Sequence, residues 1–201
     1  LLFGSLALNF DTRAFEQLRK TVTESDEHKW IVDLFRELPG VWATITSVLP
    51  KLHDKQKLEQ LKHVQLAFRS GTHSAIQFPL PNTMLIPLTV ISHLTQYTSF
   101  LQRSNVDISQ ISKSDVETIG LCTGLLSSFA VASAANWEQF TKYGASAVRL
   151  GMLIGMVIDA QDAPSERGPS KSISTVWNSI KTRDETLRIL KDFPEVSKNT
   201  I

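Results

Sequence analysis

Cys122 is the only cysteine in the chain, and it stands between two glycines in Gly120-Leu121-Cys122-Thr123-Gly124. Upstream, Val116-Glu117-Thr118-Ile119 alternates apolar and polar residues and is β-branched, which predicts a strand from Val116 to Leu121. Downstream, Leu125, Leu126, Phe129, Ala130 and Ala134 recur at helical spacing. Strand, glycine-flanked turn and helix is the layout of a nucleophile elbow, with cysteine where G-x-S-x-G has serine. Such a turn lifts the nucleophile out of the backbone. The helix start that follows aims N–H groups and a positive dipole end at the same point, which favours thiolate and oxyanion alike. The same pentapeptide also occurs in ordinary turns, where cysteine is a small buried hydrophobe.

The elements around this turn must come from an ordinary globular composition, 42% hydrophobic and 20% charged in 201 residues. Basic and acidic residues number 21 and 20 and are mixed along the chain. No basic stripe marks a nucleic-acid partner. A single cysteine excludes an intrachain disulfide framework and suits a reducing, cytoplasmic setting. The five histidines (His28, His53, His63, His73, His93) show none of the paired spacings of metal ligands, so no metal is expected. Apart from His93, they fall in polar segments and are expected to be exposed.

No secretory signal is evident, since the apolar start, Leu1 to Leu8, lacks a basic region and a cleavage site. The longest apolar run, Ala145 to Ile158, is interrupted by Arg149 and reads as too short to cross a bilayer. Its Gly151-Met152-Leu153-Ile154-Gly155 segment predicts close packing of a buried helix on a neighbour.

Leu1-Leu2-Phe3, ended by Gly4, predicts a buried first strand. Asp11 is an N-cap for a helix burying Phe15, Leu18 and Val22. Ser25 or Asp26 starts the next helix, with Trp30, Val32, Leu34 and Phe35 apolar, stopping near Pro39-Gly40. Residues 54–69 form a third, with Leu58, Leu61, Val64, Leu66 and Phe68 as its apolar positions. A loop follows from Gly71 to Asn82, then a long helix from Pro87 to Phe100 with Leu88, Ile91 and Leu94 inward. Trp137 to Ile158 is helical, residues 160–170 are a solvated loop, and 172–191 hold one or two amphipathic helices. Trp30, Trp42, Trp137 and Trp177 read as core or half-buried anchors. Few short strands among many helices predict an α/β fold, helix-rich around a short parallel sheet.

The elbow decamer Ile119-Gly120-Leu121-Cys122-Thr123-Gly124-Leu125-Leu126-Ser127-Ser128 resembles the starter-unit acyltransferase domain of fungal non-reducing polyketide synthases. Those domains are similar in fold to malonyl-CoA:ACP acyltransferases, with a lysophospholipase-like core, but commonly carry cysteine for serine. Leu2-Phe3-Gly4 looks like the family's first strand, which usually reads F-G-D-Q. Gln96, after Thr95, sits where acyltransferases carry a T-Q pair, and Val148-Arg149-Leu150 resembles the family's V-R-L segment. The resemblance spans essentially the whole chain. Two departures stand out: Ser5-Leu6 replaces Asp-Gln, and the family's catalytic histidine lies about a hundred residues beyond the nucleophile, past Ile201. The resemblance therefore implies that residues 1–201 are the N-terminal portion of such a domain, cut from a longer polypeptide.

The implied reaction is acyl transfer through an enzyme thioester at Cys122, from a starter acyl-CoA or acyl-ACP to the phosphopantetheine thiol of an acyl carrier domain. No bound cofactor is implied. The expected partners are the acyl donor, the carrier and the rest of the synthase, including its ketosynthase, with neither nucleic acid nor membrane. The Thr123 N–H is the first oxyanion donor, and an N–H at Leu6 is the second. Gln96 either reaches the site or is a buried helix residue bonded to backbone. Arg149 corresponds to an arginine that binds a substrate carboxylate in malonyl-specific relatives; because simple starter groups lack that carboxylate, a structural pairing is the stronger reading. His93 is a weak candidate base. Two other readings stay open: a non-catalytic structural or carrier-docking module, and a cysteine hydrolase using the same elbow.

Overall fold

The first residues are a strand because backbone 116 positions away supplies their partner. The terminal ammonium of Leu1 donates to the Glu117 carbonyl at 2.6 Å. The Ile119 N–H donates to Leu1 O at 2.8 Å and the Leu121 N–H to Phe3 O at 3.0 Å. Strands β1 (Leu2–Phe3) and β2 (Ile119–Gly120) thus pair in parallel, with Leu2 opposite Ile119 and Phe3 opposite Gly120. The computed structural model describes residues 1–5, 10–71 and 75–161, together with Asp184 and Arg188. The chain divides into two units, 1–163 and 164–201. In the second, Asp184 and Arg188 are helical and exposed; the helices expected over 172–191, with Trp177, lie outside the described residues, as does His73.

The predicted strand and its parallel pairing are present, but shorter than Val116 to Leu121. Only Leu1 to Phe3 is available as a partner before Gly4, so the ladder has nothing to bond before Glu117. Among the described residues the sheet has two strands, and helices dominate around it.

Helix α1 (Thr12–Thr23) begins as expected: the Asp11 carboxylate accepts from the Ala14 N–H, and Phe15, Leu18 and Val22 are buried. A 3₁₀ turn at Asp26–His28 leads into α2 (Lys29–Val48). This helix runs straight through Pro39, where the sequence predicted a stop. An interior proline costs about 3 kcal/mol. Burying Leu34, Phe35, Leu38 and Trp42 along one continuous stripe outweighs it, at roughly 1.5–3 kcal/mol per side chain. Helix α3 (Lys55–Ser70), capped by Asp54, packs Phe68 edge-on to Phe15 and face-on to Phe35, the latter at 4.3 Å between ring centres. Leu66, expected inside, is exposed. His28, expected outside, is 2% exposed. Its Nδ1 lies 2.9 Å from Thr21 O and its Nε2 2.7 Å from Thr98 Oγ1, so it joins α1 to the next long helix.

That helix, α4 (Asn82–Ser104), starts five residues before the expected Pro87. Its first turn has no cap from its own chain segment; the cap arrives from Asp159, near the end of α7 (Trp137–Gln161). The Asp159 carboxylate accepts from the Asn82 N–H at 3.0 Å, the Thr83 N–H at 2.9 Å, and both their side chains. Helices α4 and α7 are antiparallel, with Gly155 against Asn82, Gly151 against Ile86 and Gly144 against Leu94. A Cβ on Gly155 would lie 2.6 Å from Thr83 Cα, so this approach needs the small-residue face the sequence displays. Helix α7 is 25 residues long and, by length and composition, apolar enough to cross a membrane, longer than the run read from the sequence. Its buried Phe140, Val148, Met152 and Met156 are core residues of the first unit. A second 3₁₀ turn (Pro50–Leu52), a short helix α5 (Ile108–Ser112) closed by an Asp107–Gln110 capping box, and α6 (Gly124–Ala132) complete the described elements.

Replacing Asp159 with alanine strands two N–H groups at the start of α4, and hydrogen bonds to a charged acceptor contribute about 1.5–3 kcal/mol. Urea denaturation should show Asp159→Ala destabilised by about 2 kcal/mol and Asp159→Asn by less. An unchanged midpoint for the alanine variant would show that α4 does not depend on this cap.

Candidate functional site

Cys122 has φ +55°, one of two non-glycine residues with positive φ among those described. A left-handed conformation at a residue that is not Gly, Asn or Asp costs of order 1 kcal/mol or more and persists only where surrounding structure imposes it. The imposing contacts are identifiable. The Gly124 N–H donates to Leu121 O at 2.9 Å and the Leu125 N–H to Cys122 O at 3.0 Å, closing the turn from β2 into α6. A Cβ on Gly120 would stand 2.5 Å from Leu125 Cα and overlap the Gly124 carbonyl. A Cβ on Gly124 would overlap the Phe3 and Gly4 carbonyls of β1. Both glycines are therefore required by close backbone approach, and the residue between them is thrust outward.

The Cys122 thiol is free and exposed, 3.9 Å from Thr123 Oγ1. Thr123 is buried, and no acceptor among the described residues takes the N–H of Cys122 or Thr123. Unpaired N–H groups at a helix start are partial positive charge awaiting an anion. The turn thus combines an exposed thiol with free donors at the N-terminus of α6.

Behind the elbow, His93 of α4 bridges the pieces. Its Nδ1 lies 3.0 Å from Ser127 Oγ on α6, and its ring is 5.9 Å from Phe3 of β1. No hydrogen bond joins His93 to the Cys122 sulfur among the described residues. Burial pushes its imidazole below the ordinary value of 6.5, so it is neutral at pH 7. Ser127 was not singled out in the sequence; a hydroxyl one turn into an apolar helix was the available signal, and only the fold shows it fully buried.

Gln96, one turn beyond His93, is exposed rather than buried, and lines a groove between α1 and α4. Arg149 pairs with Glu37 of α2 at 2.5 Å. Leu6 lies outside the described residues. No group of three or more His, Cys, Asp or Glu side chains among the described residues is placed to hold a metal.

A family model described as "Starter unit:ACP transacylase in aflatoxin biosynthesis" matches residues 1–199. The chain belongs to this starter-unit transacylase family. It is 48% identical over 201 residues to the non-reducing polyketide synthase dbaI of Emericella nidulans, covering 97% of this chain and 8% of that protein. It is 42% identical to the 3-methylorcinaldehyde synthase of a Phoma species, covering 96% of this chain and 8% of that protein. With the citrinin polyketide synthase of Monascus ruber it shares 35% identity, over 100% of this chain and 8% of that protein. The chain spans about 8% of the length of these relatives, which are fungal polyketide synthases. Within this transacylase family the elbow decamer, read first as a resemblance, falls inside the matched region.

Two measurements test the elbow. Gly124→Ala should cost about 3 kcal/mol, at the upper end of overpacking, because neither Phe3 nor Gly4 backbone can yield. Gly40→Ala in α2, where a Cβ meets nothing within 4 Å, should stabilise by up to about 1 kcal/mol. A neutral Gly124→Ala would refute the close approach. For His93 the folded-state value lies below the unfolded 6.5, so the unfolded chain takes up a proton first as pH falls. Its contribution to stability is complete above pH 6.5 and is lost as pH drops toward the lowered folded value. His93→Gln should flatten that part of the denaturation midpoint between pH 7.5 and 5.5; an unaltered pH dependence would contradict the assignment.

Proposed function

We propose that this chain forms the nucleophile-bearing part of a starter unit:ACP transacylase with an acyltransferase (lysophospholipase-like) core, and that Cys122 carries the acyl group as a thioester. The Cys122 thiolate attacks the carbonyl of a starter acyl thioester, and negative charge develops on the carbonyl oxygen. The free Thr123 N–H and the positive end of α6 stabilise that charge. Collapse breaks the donor C–S bond; the departing thiolate takes a proton and leaves acyl-Cys122. The thiol of an acyl carrier's phosphopantetheine arm repeats the sequence in reverse, losing its proton as it attacks and freeing Cys122. Donor, intermediate and product are all thioesters, so each step is close to balanced and needs no bound cofactor. A reducing compartment, such as the cytoplasm, keeps the single thiol available.

The observation that carries this reading is the left-handed Cys122, held outward between two sterically required glycines with unpaired N–H groups beside it. His93, with Nδ1 engaged by Ser127, supports the elbow and is not the proton carrier in this scheme. A second reading, a carrier-docking module, draws on Leu121, Leu125 and Phe129, which are 64%, 59% and 72% exposed beside the thiol. The transacylase and its carrier would then work alongside the ketosynthase of the same polypeptide.

Intact mass spectrometry after incubation with an acyl thioester separates the two. Wild type should gain one acyl group, Cys122→Ala none, and Cys122→Ser a smaller amount held as an oxyester. An adduct that survives in Cys122→Ala would remove this residue from the mechanism and leave the docking reading.

A further inference from the structure

A cavity of about 150 Å³ lies where the C-terminal half of α2, the Pro50–Leu52 turn and the start of α3 meet the start of α4 and the end of α7. No residue of β1, β2 or α6 lines it, so it is separate from the elbow. Its apolar wall is Trp42, Leu52 and Met156, all buried, while Lys51 and His53 are exposed. The space is large enough for several waters or one small ion. Trp42 is 1% exposed, and its indole N–H has no acceptor among the described residues. A buried indole N–H ordinarily has a partner, and leaving it without one costs the desolvation of the group.

The charged groups around this space are unequally used. Asp159 accepts four hydrogen bonds, from the backbone N–H and the side chain of both Asn82 and Thr83, so the lone pairs of both its oxygens are engaged. The Asp54 carboxylate accepts from the Gln56 and Lys57 N–H groups and pairs with the Lys57 ammonium at 3.1 Å. Lys51, by contrast, forms no ion pair among the described residues, and neither its side chain nor that of His53 makes a hydrogen bond there. What is left unused has one character. Indole and ammonium are donors only, and an imidazole always carries at least one N–H. These groups fit a ligand that accepts, and beside an ammonium an anion accepts best. A cation would have to displace donors from Asp159. The Asp159 charge facing an anion is offset by the positive start of α4, whose N–H groups it holds.

We propose that this cavity binds a small oxyanion, a phosphate or a carboxylate, whose oxygens accept from the Trp42 N–H and the Lys51 ammonium with His53 at the mouth. The bound anion ties α2 and the turn after it to the starts of α3 and α4, and it stabilises the folded first unit by mass action. The site includes no part of the elbow and does not rest on the transacylase reading.

Inorganic phosphate and acetate are the probes, each compared with chloride at equal ionic strength. In NMR spectra of the isotope-labelled chain, the indole N–H signal that disappears in Trp42→Phe identifies Trp42. Phosphate or acetate should shift that signal saturably, and chloride should not. At ten times its Kd the bound probe should raise the melting temperature by about 4 °C. Trp42→Phe keeps an aromatic ring but removes the N–H, and should abolish the rise. Lys51 is exposed and unpaired, so Lys51→Met leaves the core intact; it should weaken binding roughly ten-fold, and Lys51→Arg by less. Saturation by phosphate alone assigns a phosphate ligand, saturation by acetate alone a carboxylate, and saturation by both supports the oxyanion class. No saturable shift with either probe, a shift that chloride reproduces, or undiminished binding in Lys51→Met would overturn the proposal and leave a cavity filled by water.

Discussion

The elbow depends on the absence of one side chain. Gly124 brings the start of α6 against the Phe3 and Gly4 carbonyls, and a single methyl group there would push the helix off β1. Because β1 and β2 are two-residue strands, the few ladder bonds between them cannot hold that geometry alone. The glycine contact and the strand pairing support each other: the pairing aligns Gly120 beside Phe3, and the close approach lets the chain reverse sharply enough to force Cys122 into positive φ. Exposure of the thiol, the free Thr123 N–H and the direction of the α6 dipole all follow from that reversal.

Helix α4 is the member that relates the elbow to the rest of the first unit. At its N-terminus it is pinned by Asp159, along one side by the glycine face of α7, and near its C-terminal half by His28 through Thr98. With both ends held, one of its remaining faces can serve the site, presenting His93 to Ser127 and Phe3; the adjoining one presents Gln96 and Arg103 to the groove against α1. Rigid elements place functional groups more reproducibly than loops do, and here the loop-borne feature, the elbow, is braced by the most constrained helix.

Apolar surface gathers on the outer side of the elbow. Leu2, Ile119, Leu121, Leu125 and Phe129 are all largely exposed, although the helical spacing of Leu125 and Phe129 predicted an inward stripe. The inward positions of α6 are taken instead by Ser127, Ser128, Ala130 and Val131, small residues that let the helix sit close to α4 and α7. Size, rather than polarity, decided which face of α6 turned inward, since close approach of helices rewards small side chains.

Local chemistry determined much of this protein before any folding. The Asp11 cap, the burial of Phe15, Leu18 and Val22, the small-residue face of α7 and the glycine-cysteine-glycine turn all depend on neighbours within a few residues, and all were legible in sequence. Contacts between distant segments decided the rest. Pro39 sits inside a helix because the buried stripe outweighs its cost, α4 begins at Asn82 because a carboxylate 77 residues away caps it, and His28 is buried because Thr21 and Thr98 satisfy both ring nitrogens. The short sheet, the pairing of Arg149 with Glu37 and the alignment of Gln96 with Arg103 along a groove belong to the same class. Sequence spacing encodes which residues share a turn or a face; which face meets which partner is a property of packing, and only the tertiary structure contains it.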